Sequence, residues 1–167
     1  MPPSYRNWQT KSVPSSDEQA LFLGTASQQG YPAEVALPVY TQLVATLRER
    51  GHGPALYVYR VAEHEGASDT ASATPPLTRP RTLLAFATAD AALGFAQRMR
   101  LRGSPRLRRI AFAHLLAVML QQPTIRAVLV VDEPLVIPVG QHFPTGYTIS
   151  RTDLHEMLKG AAHGEPL

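Results

Sequence analysis

The chain has 167 residues, 44% hydrophobic and 17% charged, enough for one sizeable core, and it has no run of about 18 apolar residues that would cross a membrane. Its 16 basic and 13 acidic side chains give a formal charge of +3, and the absence of cysteine excludes disulfides, thiolate nucleophiles and Cys-bearing zinc sites. The N-terminus lacks the basic-then-apolar layout of a secretory leader, so a soluble, cytoplasmic protein is expected.

Residues 1–15, with Pro2, Pro3 and Pro14 among polar residues and Trp8 as the one large anchor, show no period and read as a flexible N-terminal arm. Ser16 followed three residues on by Gln19 is a capping-box pattern. Ala20, Leu21, Leu23 and Ala26 continue it as a helix over roughly 17–28, with a strand through 21–25 as the rival reading. After a turn at Gly30, Tyr31 and Pro32, the residues Val39, Tyr40, Leu43, Val44 and Leu47 share one helical face over 38–50, and Gly51 stops that helix. The run ALYVYRV at 55–61 is rich in aromatic and branched residues and predicts a buried strand. Residues 62–80 are small, polar and proline-containing, which predicts a mobile internal loop.

Thr82 to Ala87 predicts the next strand, and Thr88 caps a helix that passes through Phe95 and Met99 and ends near Gly103. Ser104 and Pro105 have the identities of an N-cap and a first helical position. They predict another helix, through Ile110 and Leu120 to the break at Pro123, apolar almost all round after Arg109 and therefore central. Residues 125–131 and 134–139 flank an Asp132-Glu133 turn and predict a β-hairpin. A last helix over 152–159 takes Ser150 or Thr152 as its cap and stops at Gly160, leaving 161–167 as a C-terminal tail. This order predicts a single α+β domain over 16–160, a mixed sheet of about four to five strands with helices packed on it.

Three local sequences add a resemblance. The opening DEQALFLGTASQ and PVYTQLVATL leading into PALYVYRV, the stretch RTLLAFATADAALGFAQ, and the closing GYTISRTDLHEMLKG together resemble the SseB-like N-terminal domain family, that of the enhanced serine sensitivity protein B, over roughly residues 17–160. The family tends to show Phe-Thr-Ser where this chain has Phe86-Ala87-Thr88, and an Asn-Pro turn where it has Val131-Asp132-Glu133-Pro134. The resemblance implies a small cytoplasmic module without an established catalytic activity, and it carries over no catalytic residue.

Arg98, Arg100, Arg102, Arg106, Arg108 and Arg109 fall in one acid-free stretch, and without these six the chain holds fewer bases than acids. On the predicted helix boundary, the first three favour a helix C-terminus while the last three lie in a first turn, where cations are disfavoured. Three uses fit the segment, in descending order: a solvated corner, a site for an acidic protein partner, and a nucleic-acid contact. No aromatic residue interleaves with the arginines, so the stacking platform of a single-strand binder is missing.

His155-Glu156 opens like a zincin helix, but the second imidazole position is occupied by Lys159, and His114 alone lies on the apolar helix, where a core role outweighs a ligand role. No metal and no cofactor is expected. His142, Tyr147 and Asp153 are placed to line a cleft at the loop 140–153. No glycine-rich phosphate cradle and no nucleophile elbow occurs. The leading expectation is a non-catalytic protein-interaction domain that associates with itself, because branched strands at a sheet edge invite pairing. The alternatives are a polyanion or nucleic-acid binder using the six arginines, and a small-molecule enzyme with its site around His142, Tyr147 and Asp153.

Overall fold

The computed structural model describes residues 16–59, 80–101, 106–138 and 143–164. The arm at 1–15, the loop at 62–80 apart from Pro80, the Ser104-Pro105 pair and the last tail residues lie outside them. The chain runs α1 (Ser16–Gln28), α2 (Ala33–Glu49), β1 (Ala55–Tyr59), β2 (Arg81–Phe86), α3 (Ala89–Arg98), β3 (Leu107–Ala111), α4 (Phe112–Gln121), β4 (Ile125–Val131), β5 (Gly146–Ser150) and α5 (Arg151–His163). The five strands form one mixed sheet in the order β3-β1-β2-β4-β5, so the molecule is α+β as its sequence predicts. β1 is antiparallel to both β3 and β2, β2 is parallel to β4, and β4 is antiparallel to β5.

A period of two divides the strands between two cores. Leu56, Ala85, Val128, Val130 and Ile149 face one way, onto a layer made by α1, α2, α4 and α5. Phe22 of α1, Leu43 and Leu47 of α2, Leu116 and Leu120 of α4, and Leu154 and Leu158 of α5 complete that core. Each such fully buried Leu or Phe stabilises the fold by about 1.5–3 kcal/mol relative to exposure. α4 is apolar almost all round, as the sequence predicts, because it lies against both α1 and β4. Phe86, Leu129 and Val131 face the other way and meet Ala92 and Phe95 of α3, with Tyr57 and Tyr59 of β1 beside them.

The local signals that hold are caps and periods. Thr88 Oγ1 accepts the Ala91 N–H at 3.1 Å, which starts α3 at the predicted residue. Of the two caps open for α5, Ser150 is the one used, its Oγ accepting the Asp153 N–H at 3.0 Å. α1 is a helix throughout, which settles it against the rival strand.

Four expectations are corrected. The helix predicted from Ser104 begins only at Phe112, because 107–111 forms β3 and pairs along its whole length with β1. Arg106, Arg108 and Arg109 are therefore not in a helical first turn. The predicted hairpin does not form either: both sides of β4 are taken, by β2 and by β5, and residues 134–138 form no strand. Pro134 and Pro138 lack the N–H that a ladder needs, and Leu135 and Ile137 pack onto the α3 core instead. α3 ends at Arg98, short of Gly103, with Met99 as its C-cap. α5 runs through Gly160 to His163 and ends at Gly164, whose φ of 71° gives the left-handed stop.

Candidate functional site

The strand geometry disperses the arginine segment. Arg98 in the last turn of α3 donates from Nη1 to the Leu135 carbonyl at 2.9 Å, and Arg100 follows in a left-handed conformation with φ 49°. On β3, Arg109 stands opposite Tyr57 and Arg108 opposite Val58, so these exposed neighbours point to opposite faces of the sheet, Arg109 to the α3 face. Arg106 is exposed just before the strand, and Arg102 lies outside the described residues. Among the described residues no ion pair holds Arg106, Arg108 or Arg109.

The described residues leave the outer sides of β3 and β5 unpaired. The phase of the ladders fixes which backbone groups are open. Phe112 N–H donates to the Pro54 carbonyl at 2.7 Å, so in the β1–β3 register Ile110 and Arg108 bond inward, and the N–H and C=O of Leu107, Arg109 and Ala111 point outward. Asp132 N–H donates to the Thr145 carbonyl at 3.0 Å, so on β5 Tyr147 and Ile149 bond inward to β4, and the backbone of Gly146 and Thr148 is directed outward. The two edges differ in charge: β3 carries adjacent arginines, whereas Gly-Tyr-Thr-Ile-Ser of β5 carries none.

Next to β5, on the α3 face, lies a groove of about 510 Å³. Among the described residues α3 packs mainly over β1 and β2 and reaches β4 at Leu129 and Val131. Ala127 and Leu129 of β4 and Thr148 of β5 line it, with Phe143 beside them, a phenyl ring 52% exposed. Val136, 49% exposed, is near the same corner, since its carbonyl accepts the Thr145 N–H at 2.9 Å. Among the described residues Asp132 is the only ionisable side chain lining the groove. His52, 5% exposed, lies behind it with Nε2 3.5 Å from Asp132 Oδ1, an ion-pair distance without a hydrogen bond. Neither residue figured in the sequence reading as a pair, because they are joined only by the packing of the α2–β1 turn against the end of β4.

Of the predicted cleft residues, His142 lies outside the described residues. Tyr147 turns toward the helical layer, with the Arg50 guanidinium carbon 4.9 Å from its ring centroid. Burial pushes the Tyr147 hydroxyl above its ordinary pKa, Arg50 and a bond with Thr46 oppose this, and the Asp153 carboxylate adds to it. Asp153 is exposed in the first turn of α5, and neither it nor Tyr147 lines the groove. His155 is engaged by Tyr31, whose hydroxyl is 2.9 Å from Nδ1. His114 is partly buried on α4, and among the described residues no three of His, Asp and Glu converge on a point that would hold a metal.

No helix among the described residues is long and apolar enough to cross a membrane. No family model, no curated protein and no solved structure matches the chain.

Proposed function

We propose that the protein is a non-catalytic, cytoplasmic interaction domain that associates with itself through the β5 edge and the groove beside it. The observation that carries this reading is that β5 presents outward backbone donors and acceptors at Gly146 and Thr148 and has no charged side chain to discourage pairing. Strand addition satisfies those groups, and side chains standing on the same face give it specificity. Phe143 and Val136 supply exposed apolar surface at the same corner, of the kind that forms the dry centre of an interface. The resemblance to the SseB-like domain implies a small cytoplasmic module without an established catalytic activity, which is compatible with this reading. The nucleic-acid reading loses weight because Arg108 and Arg109 diverge to opposite faces and Arg98 is engaged by a carbonyl.

The test is light scattering behind size exclusion, read at 260 and 280 nm. The wild type is expected at twice the 18.2 kDa chain mass or more, with a clean protein spectrum. Thr148→Pro is expected at one chain mass with an unchanged circular dichroism spectrum, because the proline removes only an outward N–H. A wild type that stays at one chain mass at all concentrations, or a 260 nm excess removed by salt, overturns the proposal.

A further inference from the structure

We propose, resting on the self-association reading above, that the strand seated against β5 is β3 of a second copy, so that the domains join head to tail into one continuous sheet. Four features of the two edges agree on this. The first is direction. With β2 and β4 pointing one way, β3 points with them and β5 against them, so a second copy placed alongside in the same orientation brings its β3 antiparallel to β5.

The second is phase. The outward backbone groups belong to Leu107, Arg109 and Ala111 on β3 and to Gly146 and Thr148 on β5, alternate residues on each strand. An antiparallel pair needs such residues directly opposite each other. The register that overlaps all five residues of both strands does this, setting Arg109 against Thr148 and Ala111 against Gly146.

The third is face. Residues opposite each other in a ladder share a face of the sheet. Arg109 and Thr148 both belong to the α3 face, so pairing keeps the α3 sides together and the helical layers together, with no copy inverted. The fourth is charge. The register carries Arg109 to the rim of the groove lined by the Asp132 carboxylate, whereas a β3–β3 pair would face arginine with arginine. A β5–β5 pair meets no charge barrier but uses neither the arginines nor Asp132. The head-to-tail contact leaves one β3 and one β5 free at the ends, so the assembly grows by addition and does not stop at two.

Two edge-blocked variants decide between these arrangements. Thr148→Pro blocks β5 alone and Arg109→Pro blocks β3 alone, each by removing an outward N–H. Head-to-tail pairing predicts that each variant is at one chain mass by itself and that an equimolar mixture gives a 1:1 complex of twice that mass and nothing larger. If Arg109→Pro associates alone while Thr148→Pro does not, β5 pairs with itself: this inference is overturned and the proposed function stands. If Thr148→Pro also associates, or the wild type never does, both are overturned, and a mixture that stays at one chain mass overturns the head-to-tail contact. Arg109→Glu keeps the N–H and serves where a proline variant does not fold. It is expected to weaken self-association roughly tenfold at low salt, with the loss shrinking as salt is raised. Association equal to wild type at low salt overturns the role given to Arg109.

Discussion

Gly146 is the residue at which β5 is least tolerant of a side chain. A Cβ built there would fall on the Val130 carbonyl oxygen and 2.8 Å from the Leu129 Cδ1. The leucine end can rotate away, but the carbonyl belongs to β4, which is held on both sides by ladder bonds and has no slack. Gly146→Ala should therefore cost about 1–3 kcal/mol, by the same logic as overpacking a core, and urea denaturation should show a lower midpoint with an unchanged slope. His155 gives a second residue-level outcome, through pH. Burial lowers its pKa below the ordinary 6.5, and the charges of Arg151 and Lys159 lower it further. Between the folded value and 6.5 the unfolded chain binds more protons, so stability is full above that window and falls as pH drops through it. Melting curves at about pH 7.5 and about pH 5.5 should show a larger drop for wild type than for His155→Gln, and equal drops would exclude this titration as a source of acid sensitivity.

At the scale of elements, α4 ends without a side-chain cap of its own, and the service is supplied from a distant part of the sequence. Arg151, at the start of α5, donates from Nη1 to the Met119 carbonyl at 2.8 Å and from Nη2 to the Leu120 carbonyl at 3.1 Å. These are terminal carbonyls that the helix cannot satisfy internally, and a cation is favoured at that end of the helix dipole. Arg151→Met keeps much of the apolar stem and loses both bonds, so it should cost about 1.5–3 kcal/mol, seen as a lower melting temperature, with Arg151→Lys in between. The helical periods of α2, α3 and α4 and the caps of α3 and α5 were legible because the residues that set them are close in sequence, Thr88 with Ala91 being the clearest case. β3 was not legible. Its two apolar anchors, Leu107 and Ile110, stand on opposite faces, so no period-two pattern shows, and what holds it is the length of β1 beside it. The false hairpin has the same origin: branched residues after Asp132 look like a strand, but the partner that β4 takes on that side is β5, and no local sequence reports a choice between two possible strands. Nor could the Asp132–His52 contact be read, since it joins turns about eighty residues apart that only the finished sheet brings together.

For the molecule as a whole, the formal charge of +3 says little, and its placement on edges says more. One edge of the sheet is protected by Arg108 and Arg109 against pairing with its own kind, while the other is neutral and has an acidic groove at its rim. A protein that only needed to remain monomeric would gain from charge on both edges. The asymmetry is instead what the proposed unlike pairing requires, and that pairing would tie association to folding, because neither edge exists until β1 and β4 have taken their places in the sheet. Association through folded edges stabilises the folded chain by mass action, so the wild-type melting temperature should rise with protein concentration, on the order of 2 °C for each tenfold increase in a chain of this size. Thr148→Pro should melt at one temperature across the same range, since it has lost the outward N–H that β5 offers for pairing and not the fold. A differential scanning calorimetry series over two decades of concentration measures both, and a wild-type value that stays flat would show that association adds nothing to folded stability, as expected if β3 and β5 never pair.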